Sequence, residues 1–330
     1  MNWKGQRVLV TGACGFIGSH LVEELTRRGA QTTALTFYNA WGSRGWMDAA
    51  AEEVRAQIRI VPGDIRDAEF MRRLVAKDDV VFHLAALIGI PYSYEAPRSY
   101  VETNVTGTLN VLEACRQAGG GRVLVTSTSE VYGTAIHVPI EESHPLQAQS
   151  PYSASKIAAE KLAESYFKSF NLPVITVRPF NTFGPRQSPR AVIPTILMQL
   201  LTGRDSIFLG DPTTTRDFNF VEDTVSGLIR LAECDSAVGQ VVNIGTGTDI
   251  SIERVAEMAQ EIVGHRAAIQ ADPARLRPAA SEVRRLRAGN ALLRHLTNWV
   301  PPARLEEGLR ITAEWMKKEL QRYDTQRYYV

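Results

Sequence analysis

The residues Thr11-Gly12-Ala13-Cys14-Gly15-Phe16-Ile17-Gly18 decide how this chain is read. Before them, Val8, Leu9 and Val10 form a contiguous apolar run, which predicts a buried strand over Arg7–Thr11. After them, Ile17, Leu21 and Leu25 recur at helical spacing, and Gly29 stops a helix over 16–28. The octapeptide is therefore a strand-to-helix turn with glycines at every third position. Gly12 suits the tight turn, Gly15 lets backbone approach a ligand, and Gly18 lets helix pack closely on strand. The free N–H groups and positive dipole end of the helix then face an anion, which points to a dinucleotide pyrophosphate. Cys14 is expected to be a small residue that fits the turn.

Working outward, further strands are expected over 32–37, 58–61, 80–84, 122–126 and 174–178. Helices are expected over 67–76, capped by Asp67, over 98–118, and over 151–170, which opens with Pro151 where a missing N–H costs little. Strands alternating with helices imply parallel pairing through right-handed crossovers. Continuous apolar strands imply helices on both sheet faces. The expected fold is thus α/β, a doubly wound Rossmann-type parallel sheet. Residues 1–180 would form the dinucleotide-binding domain. Residues 181–330 would mainly form a smaller α/β substrate domain, with some chain exchange between the two. Its expected elements are helices over 191–201, 221–233, 251–263 and 304–323 and strands over 207–209 and 241–244.

Composition narrows the partners. The 330 residues carry a net charge of +1, which argues against a general electrostatic grip on nucleic acid or anionic membrane. No apolar run reaches bilayer-spanning length. Cys14, Cys115 and Cys234 are far apart, odd in number and without metal-ligand spacing, so a reducing cytoplasm fits and no metal is expected.

The chemistry-bearing stretch is Tyr152-Ser153-Ala154-Ser155-Lys156. Four residues apart on a helix, phenol and ammonium share one face. An ammonium there lowers the phenol pKa, so that phenolate can take a proton from a hydroxyl. Ser127-Thr128-Ser129-Glu130 ends the preceding strand, at the sheet edge where ligands of such folds sit. The carboxylate usually found after the second strand is missing from Leu35-Thr36-Phe37-Tyr38-Asn39, and Arg44 is nearby, so NAD and NADP both stay open. Asp64-Ile65 stands either at the adenine edge or as an ordinary turn. His83 is given no chemistry. Trp41 and Trp46 either line the cleft or pack their loop.

These motifs resemble those of the extended short-chain dehydrogenase/reductases that act on nucleotide-activated sugars. The resemblance spans nearly the whole chain. It adds His83-Leu84-Ala85-Ala86, Thr103-Asn104-Val105-Thr106-Gly107-Thr108, Arg178-Pro179-Phe180-Asn181 and Arg216-Asp217-Phe218. Glu130, with the loops at 38–43, 87–94 and 277–286, is similar to UDP-N-acetylglucosamine 4,6-dehydratases of legionaminic acid-type pathways. Those enzymes also lack the acid after the second strand and use NAD.

The resemblance implies roles. Tyr152 and Lys156 would oxidise the sugar at C4, with Thr128 on the C4 oxygen. Glu130 would take the C5 proton, and Ser129 would assist the leaving C6 hydroxyl. The family's stricter motif has aspartate where Ser129 stands. Cofactor contacts would come from Gly12, Cys14, Gly15, Phe16, Ile17, Gly18, Tyr38, Asn39, Asp64, Ile65, Leu84, Ala85, Ala86, Tyr152, Lys156 and Pro179. The nucleotide sugar would meet Thr128, Asn181, Arg186, Val192, Arg216 and Arg277. Glu282, Arg284 and Arg285 would touch it or cover a helix. A homodimer through the helices at 98–118 and 151–170 is implied. A UDP-glucuronate decarboxylase, a 4-epimerase and a non-catalytic dinucleotide sensor are the competing readings.

Overall fold

The computed structural model describes residues 1–76, 79–276, 278–302 and 304–323. Seven strands form one parallel sheet: β1 (Arg7–Thr11), β2 (Gln31–Phe37), β3 (Arg59–Gly63), β4 (Val80–His83), β5 (Val123–Thr126), β6 (Val174–Pro179) and β7 (Val241–Ile244). Their order is β7-β6-β5-β4-β1-β2-β3. Val10 of β1 lies between Ala34 of β2 and Phe82 of β4. The chain winds outward from β1 to β3, then crosses back to β4. The crevice beyond the carboxyl ends of β1 and β4 is therefore the topological switch point.

Alternate strand residues feed two apolar layers. Val8, Val10, Phe82, Leu124 and Val177 join the core beneath α1 (Phe16–Arg27) and Val221–Glu233. Leu9, Leu35, Val81, Val123 and Val125 join the core on the opposite face. That face is covered by α2 (Ala68–Leu74), α3 (Gly107–Gln117) and α4 (Pro151–Phe170). Burial on both sides explains why the strands read as unbroken apolar runs. A third core gathers Phe183, Ile196, Phe220, Val255 and Leu309 around α5 (Val192–Leu201), α6 (Val221–Glu233), α7 (Ile252–Val263) and α8 (Leu305–Glu319).

The boundary drawn at 180 is crossed by the chain. β7 and α6 lie beyond it in sequence, yet β7 pairs with β6 in the main sheet and α6 packs on α1.

The expected helix over 98–118 is a correction. It divides into Pro97–Tyr100, a π-helical stretch at Val101–Thr106, and α3. The wider turn lets the Asn104 amide clamp a loop. Asn104 Oδ1 accepts from Leu87 N–H at 2.8 Å, and Nδ2 donates to Leu87 O and Ser155 Oγ, each at 2.9 Å. A π-bulge commonly marks such a functional position.

α4 starts on a reciprocal cap, with Ser150 and Ser153 bonding each other's backbone. It is pinned to the sheet by Arg178 of β6, whose guanidinium meets Glu160 at 2.6 Å with both side chains buried. Removing one partner strands the other charge in a low dielectric. Arg178→Met is expected to cost about 3–5 kcal/mol in urea unfolding, and adding Glu160→Gln is expected to recover part of it. Equal midpoints for wild type and Arg178→Met would refute the assignment.

Candidate active site

The site begins at the glycine turn. Gly12 has φ +71°, and a Cβ there would stand 2.7 Å from Ala85 N. A Cβ on Gly18 would stand 2.2 Å from Gly12 O. Both positions therefore exclude a side chain. No side chain caps α1, and Gly15, Phe16, Ile17 and Gly18 all border one large cleft. Its uncapped N–H groups and positive dipole end suit an anion. The cleft holds about 1160 Å³ between the carboxyl edge of the sheet and the third core.

At the far wall, α4 carries Tyr152 and Lys156, both nearly fully buried. Thr128, Ser129 and Glu130 follow the end of β5 and reach the same cleft. Burial holds the Tyr152 phenol above its usual range; a hydrogen bond with Thr128 opposes this, and the charge of Glu130 adds to it. Phenol and carboxylate thus share one wall. Burial pushes Lys156 down to about 8, with Glu160 pulling the other way.

Lys156 Nζ donates to Thr126 O at 2.6 Å, which ties α4 to the end of β5.

His83 has a structural place. Thr108 Oγ1 donates to Asn104 O, so His83 Nε2–H donates to Thr108 Oγ1, at 2.9 Å. His83 Nδ1 then accepts from Thr11 Oγ1 at 2.8 Å, and Thr11 Oγ1 accepts from Ala85 N–H. Burial, with the charge of Lys156, holds this ring neutral at about 3.

Of the expected cofactor residues, Cys14, Asp64, Ile65, Leu84, Ala85, Ala86 and Pro179 also line the cleft. The Asp64 carboxylate pairs with Arg66 at 2.6 Å and is held below its usual range by it. Tyr38 and Asn39 do not line the cleft. Asn39 folds its own loop, donating to Phe37 O and Ser43 O, and Tyr38 is exposed. Phe37 and Trp46 border the cleft instead.

On the substrate side, Asn181, Arg186, Val192 and Arg216 line the cleft, and Arg277 lies outside the described residues. Arg216 is buried and reaches Thr215 O at 2.9 Å and Glu282 at 3.4 Å. Its neighbour Asp217 accepts from Thr246 N and Oγ1, Gly247 N and Ala288 N, knotting three loops behind it. Arg186 Nη1 meets Glu23 of α1 at 2.5 Å, so its charge is committed to the cofactor helix. Arg285 pairs with Asp249 and is not on the wall. Thr126, Ser127, Gln187 and Arg190 also border the cleft. Thr126 ends β5 and Ser127 belongs to the strand-end run, whereas Gln187 and Arg190 lie on irregular backbone that no spacing rule marks. Thr126 Oγ1, Ser127 Oγ, Asn181 Oδ1 and Gln187 Oε1 are buried without a hydrogen-bond partner. Such atoms normally find one. No helix among the described residues is long and apolar enough to cross a membrane.

This fold and this cleft define an extended short-chain dehydrogenase/reductase. A family model described as GDP-mannose 4,6 dehydratase matches residues 9–312, and the chain belongs to that family. A UDP-glucose 4-epimerase of Mycolicibacterium smegmatis is 34% identical over 320 residues, covering 96% of this chain and 100% of that protein. A UDP-N-acetyl-alpha-D-glucosaminuronate decarboxylase of Bacillus cytotoxicus is 34% identical over 323 residues, covering 95% and 98%. The structure of a UDP-glucuronic acid 4-epimerase from Bacillus cereus, in complex with UDP-glucuronic acid and NAD, superposes with a TM-score of 0.85. It is 29% identical and covers 95% of this chain and 99% of that one. The relatives thus divide among several reactions on one scaffold.

Lys156 yields a prediction with a definite sign. Its folded pKa lies below its unfolded one, so below about 8 the fold carries the full cost of burying the ammonium. That cost fades as pH rises toward the unfolded value. Lys156→Met is expected to gain about 1–3 kcal/mol of stability near neutral pH, and the gain should shrink above about pH 8. A pH-independent difference in denaturation midpoint would contradict this.

Proposed function

We propose that this chain is a sugar-nucleotide 4,6-dehydratase using NAD, with UDP-N-acetylglucosamine as its substrate and a 4-keto-6-deoxy sugar nucleotide as product. The observation that carries the reading is the Glu130 carboxylate on the wall with Tyr152, close enough for its charge to act on the phenol. An epimerase needs no carboxylate there. The resemblance of the 38–43, 87–94 and 277–286 loops supports the choice of sugar nucleotide. NAD is supported by the glycine turn, by the cofactor in the Bacillus cereus structure, and by Arg44, which faces Asp48 at 3.8 Å.

In this reading Tyr152 acts as phenolate, favoured by the Lys156 ammonium one helical turn away, and accepts the proton of the C4 hydroxyl, while Thr128, already bonded to Tyr152, steadies that oxygen. A bound nicotinamide dinucleotide supplies hydride acceptance at C4 and hydride return at C6. Lys156 fixes the strand-end carbonyl of Thr126 and with it the run of hydroxyls at 126–129. The C4 ketone acidifies the C5 proton, which Glu130 removes. Ser129, buried on the same wall, assists departure of the C6 hydroxyl as water. Arg216 and Asn181 hold the diphosphate. The reading includes a homodimer through the helices at 98–118 and 151–170, where Val101, Leu109 and Phe170 expose apolar surface.

Product masses test it. With UDP-N-acetylglucosamine the expected result is loss of water. Loss of carbon dioxide from UDP-glucuronate would mean decarboxylation, unchanged mass with inverted stereochemistry epimerisation, and no turnover of any sugar nucleotide a sensor. Glu130→Gln is expected to lower dehydration about 10²–10⁴-fold, while C4 oxidation, read as reduced-nicotinamide absorbance, persists. Dehydration at the wild-type rate would remove Glu130 from its role.

A further inference from the structure

The loop after β2 is folded against the glycine turn. Gly45 has φ +59°, and a Cβ there would stand 2.6 Å from Cys14 O. Only glycine permits this approach. The next residue, Trp46, donates its backbone N–H to Cys14 O at 3.1 Å. Met47, fully buried in the core under α1, anchors the loop from below. Trp46 is thereby held on the cleft wall beside the turn.

Its indole is also gripped from the other half of the chain. The ring of Trp315, on α8, meets it edge-on with centroids 5.3 Å apart and planes at 70°. The Arg322 guanidinium lies 5.8 Å from the Trp46 ring centroid. Tyr323 packs against Trp315 in turn, at 6.5 Å. Phe16 and Ile17, the first residues of α1, pack against the same third core as Trp315 and Tyr323. The start of the anion-binding helix and the loop beside it are therefore both braced by the chain's C-terminal helix.

We propose that Trp46, set in place by Trp315 and Arg322, is a cofactor-retaining residue that slows release of a dinucleotide held at the glycine turn. The inference rests on the dinucleotide reading above. A redox-neutral cycle returns the cofactor to its starting state, so retention between turnovers carries no kinetic penalty. The brace crosses from the substrate half to the dinucleotide half. Departure then requires either the Gly42–Gly45 backbone to move or the aromatic contact to break. Arg322 is itself paired with Glu319, which leaves its guanidinium face, rather than its net charge, for the indole.

The test is the release of NADH from loaded protein, chased with excess NAD⁺ and followed by the loss of bound-nucleotide fluorescence. Trp46→Ala and Trp315→Leu are each expected to speed release about tenfold, the scale of one lost aromatic contact. Association rates should change little. Circular dichroism and melting curves establish that each variant is folded; if Trp315→Leu is not, Trp46→Ala decides alone. Release at the wild-type rate from the folded variants overturns the brace and leaves the dinucleotide reading intact. Wild-type protein that holds no NADH overturns both.

Discussion

The close approach of Gly18 to the carbonyl of Gly12 governs the rest of this structure. A methyl group there would overlap the turn, so the helix can settle on β1 only because both residues lack side chains. Once settled, α1 aims uncapped N–H groups along the crevice where the strand order reverses. Gly12 also lies against Ala85, which fixes the loop after β4, and His83 and Thr11 tie that loop to β1. The anion-binding end of the cleft is thus defined by backbone contacts rather than by charge. This accounts for a phosphate-binding geometry in a chain with almost no net charge.

The reactive end follows a different rule. Tyr152, Lys156 and Ser129 are almost fully removed from water, and burial dominates the two ionisable groups among them. It raises the phenol and lowers the ammonium, so each is held nearer its neutral form. The hydrogen bond from Thr128 and the carboxylate of Glu130 act on the phenol in opposite directions. The relatives, an epimerase and a decarboxylase among them, place different reactions on the same scaffold. The side chains beside the phenol, not the sheet, are where such reactions diverge.

The two halves of the chain are interlocked rather than merely linked. β7 and α6 return to complete the sheet, Arg186 crosses to Glu23 on the cofactor helix, and Trp46 meets Trp315. A ligand in the cleft touches both halves, so its binding and the relative placement of the halves share the same contacts.

Sequence alone determined the sheet strands, the glycine turn, and the helix carrying Tyr152 and Lys156, because periodicity and glycine spacing are local properties. It also identified Thr128, Ser129 and Glu130 as strand-end residues, which the resemblance turned into chemistry. It misread the 98–118 helix, since the π-turn exists to place Asn104 on Leu87 and Ser155, partners distant in sequence. It named Tyr38 and Asn39 as cofactor contacts but not the bond by which the Asn39 side chain closes its own loop. It did not show that Lys156 also donates to the carbonyl of Thr126, thirty residues away. Tertiary structure alone decided which half β7 joins, which buried hydroxyls lack partners, and how far burial shifts each proton. Those outcomes depend on how much water is excluded and which distant atoms arrive, and neither is written in local spacing.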